Sequence, residues 1–226
     1  MDIVYEDNHI IIANKRSGEI VQGDKTGDRT LADDVKQYIK EKYAKPGNVF
    51  LGTAHRLDRP VWGLVVFART SKALARLNDM FRENRVHKTY WALVKNAPVP
   101  SSGTLTHWLV RNEKQNKSYA YDHDVPRSKQ AILSYKTIGQ TDNYTLVEIN
   151  LKTGRHHQIR CQMAKIGCPI KGDLKYGAKR SNPDGSISLL ARSIEFEHPV
   201  SKQNIHVEAP VPNDPLWNDA ARSAAK

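Results

Sequence analysis

This chain is poor in cysteine, with only Cys161 and Cys168, and it has no apolar run long enough to cross a membrane. The spacing of the two cysteines fits neither a zinc knuckle nor a CxxC redox pair, so the cytoplasm is the expected compartment. The segment Met1–Asp7 is acidic and lacks the apolar centre of a signal peptide. The sequons at Asn116 and Asn143 are therefore read as accidental. Walker A, strand-linked GxGxxG and GxSxG patterns are all missing, which weighs against nucleotide hydrolysis, dinucleotide redox and α/β-hydrolase chemistry. Acidic residues are also in short supply, 24 against 35 Lys and Arg, for a net charge of +11. That imbalance favours a polyanionic partner, most simply nucleic acid, with a basic but unrelated enzyme as the alternative.

At 226 residues the chain can bury a core as one domain, or as one domain with two lobes. No repeat or low-complexity linker divides it, so residues 1–226 are taken as a single domain, with a monomer as the expected state. Strands are expected at 3–5, 9–13, 63–68, 89–94, 104–110, 131–138, 144–151, 187–196 and 205–208. The run Thr30-Leu31-Ala32-Asp33 reads as a capping box opening a helix that Pro46-Gly47-Asn48 ends. A second helix is expected from Ser71, as its cap, to about Asn84, with Leu74, Leu77 and Phe81 on one face. A third is expected from Arg155 to Ile166 and a short one over the last dozen residues. Several strands follow one another without a helix between them, so the class is α+β with a mixed, mainly antiparallel sheet. The stretch 111–129, with five basic and three acidic residues, reads as a surface insertion.

Two constellations carry chemistry. In His55-Arg56-Leu57-Asp58-Arg59-Pro60, Asp58 lies between two arginines at a turn. A carboxylate does covalent chemistry when it stays ionised in a poorly solvated site, which requires a cation partner. The competing reading is an Asp that closes the turn before Pro60. The second constellation is the segment 151–180, with eight basic residues and the single acid Asp173. Such a field can hold a phosphate backbone. Arg155, Ile159 and Gln162/Met163 fall at near-helical spacing, and Arg160 can reach Asp58; a solvated basic helix is the alternative. His157 and Cys161 are spaced i,i+4, but no second cluster completes a ligand set, so no metal is expected. Tyr90, in Lys88-Thr89-Tyr90-Trp91, is either a base-stacking platform or ordinary core.

Taken in order, these motifs resemble those of the RluA-type RNA pseudouridine synthases over nearly the whole chain. The likeness rests on His55-Arg56-Leu57-Asp58 with Gly63-Leu64, on Lys88 through Val94, and on Thr153-Gly154-Arg155 with His157-Gln158-Ile159-Arg160. It extends to Gly167 with Pro169-Ile170, Gly172-Asp173 and Tyr176-Gly177, and to Leu189–Ala191 with Phe196 and His198-Pro199. The resemblance implies a two-lobed sheet with a central cleft and flanking helices. It implies Asp58 as the catalytic aspartate, Arg56 entering the RNA stack, Tyr90 stacking on uracil, Arg160 pairing with Asp58, and Leu189 as an apolar wall. Arg59, Arg155, His157 and Lys171 are carried as RNA contacts, and neither metal nor organic cofactor is implied. Trp62, where relatives usually carry a small residue, and Cys161-Gln162 depart from the pattern. The chain also starts directly on catalytic-domain strands, without the small S4 RNA-binding domain of many relatives, so this domain is expected to supply all RNA binding.

The implied reaction converts uridine in ribosomal or transfer RNA to pseudouridine after the base flips out. Asp58 attacking C1′, Asp58 attacking C6 and Asp58 abstracting the C2′ proton all remain open. A catalytically silent RNA-binding domain and a glycosidase acting on free nucleotides are the rival readings.

Overall fold

The computed structural model describes residues 1–23 and 27–225. The chain divides into two compact units, Met1–His87 with Ala191–Ala209, and Lys88–Leu190 with Pro210–Lys226.

The first unit contains β1 (Asp2–Glu6), β2 (Ile10–Lys15), α1 (Leu31–Lys42), β3 (Gly52–Thr53), β4 (Trp62–Ala68) and α2 (Ser71–Arg82). The run Ile10-Ile11-Ile12-Ala13 is buried on both faces, and β2 lies between β1 and β4 in antiparallel ladders that pair both its edges. Burying that many aliphatic side chains is the main favourable term for this unit. The capping box is present: Thr30 accepts from Asp33 N–H, and Asp33 accepts from Thr30 N–H. Leu31, Val35 and Ile39 then pack on Ile11, Val65 and Phe67. In α2 the cap is Thr70, whose hydroxyl accepts from Ala73 N–H, one residue earlier than the expected Ser71. Its buried face is Ala73, Leu77 and Met80, a rotation from the expected Leu74, Leu77 and Phe81. Gly63 at the start of β4 has φ +117°, and a Cβ there would lie 2.3 Å from the Ala191 carbonyl oxygen. Only glycine fits such a position.

The second unit contains β5 (His87–Val94), β6 (Ser102–Asn112), β7 (Lys117–Tyr121), β8 (Lys129–Gln140), β9 (Thr145–Leu151), α3 (Gln158–Lys165), a 3₁₀ turn (Leu174–Tyr176) and α4 (Pro215–Ala224). Its strands run in the order β5-β9-β8-β6-β7 with antiparallel pairing throughout. The stretch 111–129 is therefore not a plain insertion: it holds β7, an edge strand paired to β6. α3 begins at Gln158, three residues later than expected, because His157 adopts the left-handed conformation (φ 53°) and breaks the helical path. Arg155 thus lies outside the helix face it was expected to share. Residues 158–163 of α3 are all buried, so the alternative of a solvated basic helix is excluded. Asp214 caps α4 ahead of Pro215. The chain returns to the first unit within β10 (Leu189–Glu197), which is followed by β11 (Asn204–Glu208). Among the described residues no helix is long and apolar enough to cross a membrane.

Candidate active site

In the first unit, β2 and β4 set the Asp58 turn. Their register pairs Lys15 with Gly63, which brings the end of β2 beside the turn that precedes β4. The Lys15 side chain is 0% exposed. Its Nζ donates to the carbonyls of Arg16 (3.0 Å), Arg59 (3.0 Å) and Val61 (2.7 Å). A buried ammonium is tolerable only when its donors are satisfied, and here three carbonyls satisfy them. Burial pulls its pKa down to about 8, against the attraction of Glu19 and Asp58. Lys15 is thus electrostatically linked to Asp58 and clamps the backbone on its C-terminal side. Sequence reading passed over it; the available signal was a lysine ending a strand otherwise wholly apolar and buried.

The turn is reinforced on every side. Val61 N–H donates to the Asp58 carbonyl at 3.0 Å. Gly18 N–H donates to Arg59 O, and Arg59 Nε donates back to Gly18 O. Arg59 also pairs with Asp28 at 3.2 Å. Leu57 packs against the apolar core of the unit, and His55 Nε2 accepts from Val66 N–H while its ring lies on Phe81. Asp58 is half-buried and Arg56 is exposed on the same loop. Nothing in the structure explains Trp62.

In the second unit, Tyr90 is buried on β5, opposite Ile149 of β9. Lys88 shares its face of the strand by i,i+2 alternation, and burial pulls the Lys88 pKa down. The Thr153-Gly154-Arg155 loop is organised by Gln158. Its Oε1 accepts from Thr153 Oγ1 (2.8 Å) and Arg155 N–H (2.9 Å), while its Nε2 donates to Ile132 O. Arg155 itself is exposed, with Nε on the Gln130 carbonyl. The Lys171 ammonium donates to Asn182, and Leu189 is buried.

Arg160 is 6% exposed and Asp173 is 1% exposed. Two parallel bonds join them, Nε to Oδ2 at 2.7 Å and Nη2 to Oδ1 at 2.9 Å. This bidentate geometry is what a buried ion pair needs to offset its desolvation. The lone acid of the 151–180 segment is therefore a partner of its central arginine, a relation the charge count contained but did not reveal. The Tyr176 ring lies 5.1 Å from the Arg160 guanidinium. Its hydroxyl accepts from Ser118 N–H (2.8 Å) and meets His157 Nδ1 (2.9 Å), and burial raises its pKa. His157 is thus a buried link in this network, stacked on His156, and Cys161 Sγ donates to Ser118 O.

Residues 9–165 match the family described as RNA pseudouridylate synthase. The chain is 32% identical to ribosomal large subunit pseudouridine synthase D of Xanthomonas campestris, over 99% of this chain and 72% of that protein. It is 31% identical to an uncharacterised RNA pseudouridine synthase of Bacillus subtilis, over 95% of this chain and 70% of that one. The fold is similar to that of human RNA pseudouridylate synthase domain containing 4, with a TM-score of 0.79 at 22% identity, covering 99% of this chain and 92% of that chain. The chain belongs to the RNA pseudouridylate synthase family. It is accordingly an RNA pseudouridine synthase, an isomerase, with the pseudouridine synthase fold.

Proposed function

We propose that this enzyme isomerises specific uridines in structured RNA, with Asp58 as the catalytic carboxylate and the two units acting as one catalytic domain. The observation that carries the assignment is the clamp around Asp58. A fully buried lysine grips the adjacent backbone and attracts the carboxylate, an arrangement that holds one carboxylate in one place. In the reaction the N1–C1′ bond breaks, the uracil turns, and C5 bonds to C1′. C5 then loses its hydrogen to solvent and N1 gains a proton, so no oxidant or group donor is consumed. A stacked uridine must first leave the RNA stack, at a cost of a few kcal/mol. Arg56, exposed beside Asp58, fills the vacated space in this reading. Tyr90 stacks on the flipped uracil, Leu189 walls the base, and Arg160, already oriented by Asp173, pairs with Asp58. Arg59, Arg155, His157 and Lys171 support the RNA-binding surface directly or through the elements they brace.

Large-subunit ribosomal RNA is the favoured substrate, because several relatives are named for it; transfer RNA is the alternative. Two unpaired, buried cysteines fit a reducing compartment, the cytoplasm, and a monomer suffices for the chemistry. The test uses RNA tritiated at uracil C5. Asp58→Asn is expected to release no tritium while binding RNA as the parent does; release at the parental rate would refute the role of Asp58. Mapping pseudouridine in cells lacking the gene identifies the substrate: one site lost from large-subunit ribosomal RNA supports the assignment, and loss confined to transfer RNA overturns it.

A further inference from the structure

The β6–β7 ribbon presents two unlike faces. Directly opposed residues share a face, and the register pairs Trp108 with Tyr121, Val110 with Tyr119 and Asn112 with Lys117. The alternate positions, Leu109 and Ser118, are buried toward Cys161 and Tyr176. The first set faces solvent. Tyr119 and Tyr121 are each 39% exposed, and Trp108 and Val110 are half-buried beside them. Register carried through β8 and β9 puts these aromatics on the face of the sheet opposite Tyr90. The core therefore does not account for them, and neither does the base-stacking role proposed for Tyr90.

The ribbon is also cationic. Lys117 Nζ lies at the ribbon's edge between two rings, 5.4 Å from the centre of Tyr119 and 5.2 Å from that of Tyr176. Lys175 Nζ donates to the carbonyls of Gln115 and Asn116, which fixes a second ammonium on the ribbon's turn. Of the nearby acids, Asp122 is paired with Lys165 at 3.0 Å. Aromatic faces interleaved with ammonium groups suit a single polynucleotide strand, whose bases stack and whose phosphates pair. A duplex offers the phosphates but hides the base faces. Tyr119 and Tyr121 are two residues apart, about 6.6 Å along the strand. That exceeds the step of roughly 3.4 Å between stacked bases, so each ring takes its own base from an unstacked strand.

We propose that the solvent face of this ribbon is a docking surface for unpaired nucleotides of the substrate RNA, beyond the target uridine. Tyr119 and Tyr121 are the stacking platforms, and Lys117 and Lys175 are the phosphate contacts. The proposal rests on the chain's being an RNA-modifying enzyme, but its test is a binding measurement that does not depend on turnover.

The probes are a fluorescent oligouridylate and the duplex it forms with oligoadenylate. The expected result is at least about a tenfold loss of oligouridylate affinity in the Tyr119→Ala/Tyr121→Ala variant, with duplex affinity unchanged. The Tyr119→Phe/Tyr121→Phe variant keeps the rings and should bind as the parent does, which separates stacking from disturbance of the edge strand. Parental oligouridylate binding by the alanine variant would overturn the proposal, as would an equal loss toward the duplex or loss in the phenylalanine variant. Tritium release by Asp58→Asn bears only on the catalytic assignment, so either reading can fail alone.

Discussion

Lys15 is the residue on which the proposed site most depends. Replacing it with methionine keeps the volume but removes the ammonium donor from three carbonyls, including those of Arg59 and Val61, one and three residues beyond Asp58; of these Arg59 O keeps the Gly18 N–H. Each unsatisfied buried acceptor costs roughly 1–3 kcal/mol, and a carboxylate displaced by an ångström can cost about a hundredfold in rate. Lys15→Met is therefore expected to lower stability and to reduce kcat about a hundredfold, read by urea unfolding and tritium release. The pH dependence has a definite sign. Below pH 8 both folded and unfolded chains hold the Lys15 proton; between about 8 and the ordinary lysine value of 10.5 only the unfolded chain does. The unfolded state then binds more protons, so the lysine's contribution to stability rises with pH across that window. The full rise is on the order of 3 kcal/mol, and Lys15→Met should abolish it. Equal pH slopes for the two proteins would contradict the placement of Lys15. Asp173 makes a separate case. Removing it takes both carboxylate bonds from the buried Arg160 guanidinium, so Asp173→Ala should cost about 3–5 kcal/mol. A loss below about 1 kcal/mol in urea unfolding would mean the pair is solvated.

Among the elements, β4 is the least tolerant. A Cβ at Gly63 meets backbone atoms of Ala191 rather than a movable side-chain end, and φ +117° is itself unfavourable for any other residue. Gly63→Ala is expected to destabilise by several kcal/mol, toward the upper end for single substitutions, with a matching drop in thermal midpoint. A change under about 1 kcal/mol would show that β4 can move away from Ala191. The apolar strands were legible because their pattern is their physics: 9–13 and 63–68 are expected as strands, and Ile10–Ala13 and Gly63–Ala68 lie buried in β2 and β4. The α1 capping box was legible for the same local reason. β7 was not, because Lys117–Tyr121 is a short, half-polar edge strand whose pairing with β6 is a nonlocal fact. Nor could periodicity detect the left-handed His157 that delays α3, since that conformation sits within a tertiary network through Tyr176. The motif residues of the candidate site were legible from their order. Lys15 and the Asp173 partnership were not, because each depends on which strands or loops come together.

For the whole molecule, the +11 charge and the aromatic ribbon predict different dependences on salt. Each phosphate neutralised by a lysine or arginine releases counterions, so affinity falls with salt at a slope of about 0.7 per contact for a single strand. Stacking on Tyr119 and Tyr121 releases no counterions. A surface that engages about six phosphates should lose roughly three-hundredfold in affinity between about 50 and 200 mM salt. The alanine variant of the two tyrosines should bind more weakly at every salt concentration, along a line parallel to that of the parent. Lys117→Ala combined with Lys175→Ala should instead flatten the slope by about 1.4, because two phosphate contacts are removed. Fluorescence titration of oligouridylate across a salt series reads all three lines. A parental slope near zero would mean that the positive charge does not face the RNA. A changed slope in the tyrosine variant would mean that those rings order the lysines rather than hold bases. Parallel lines for the tyrosine variant with a shallower one for the lysine variant would assign stacking and charge to separate residues of one surface.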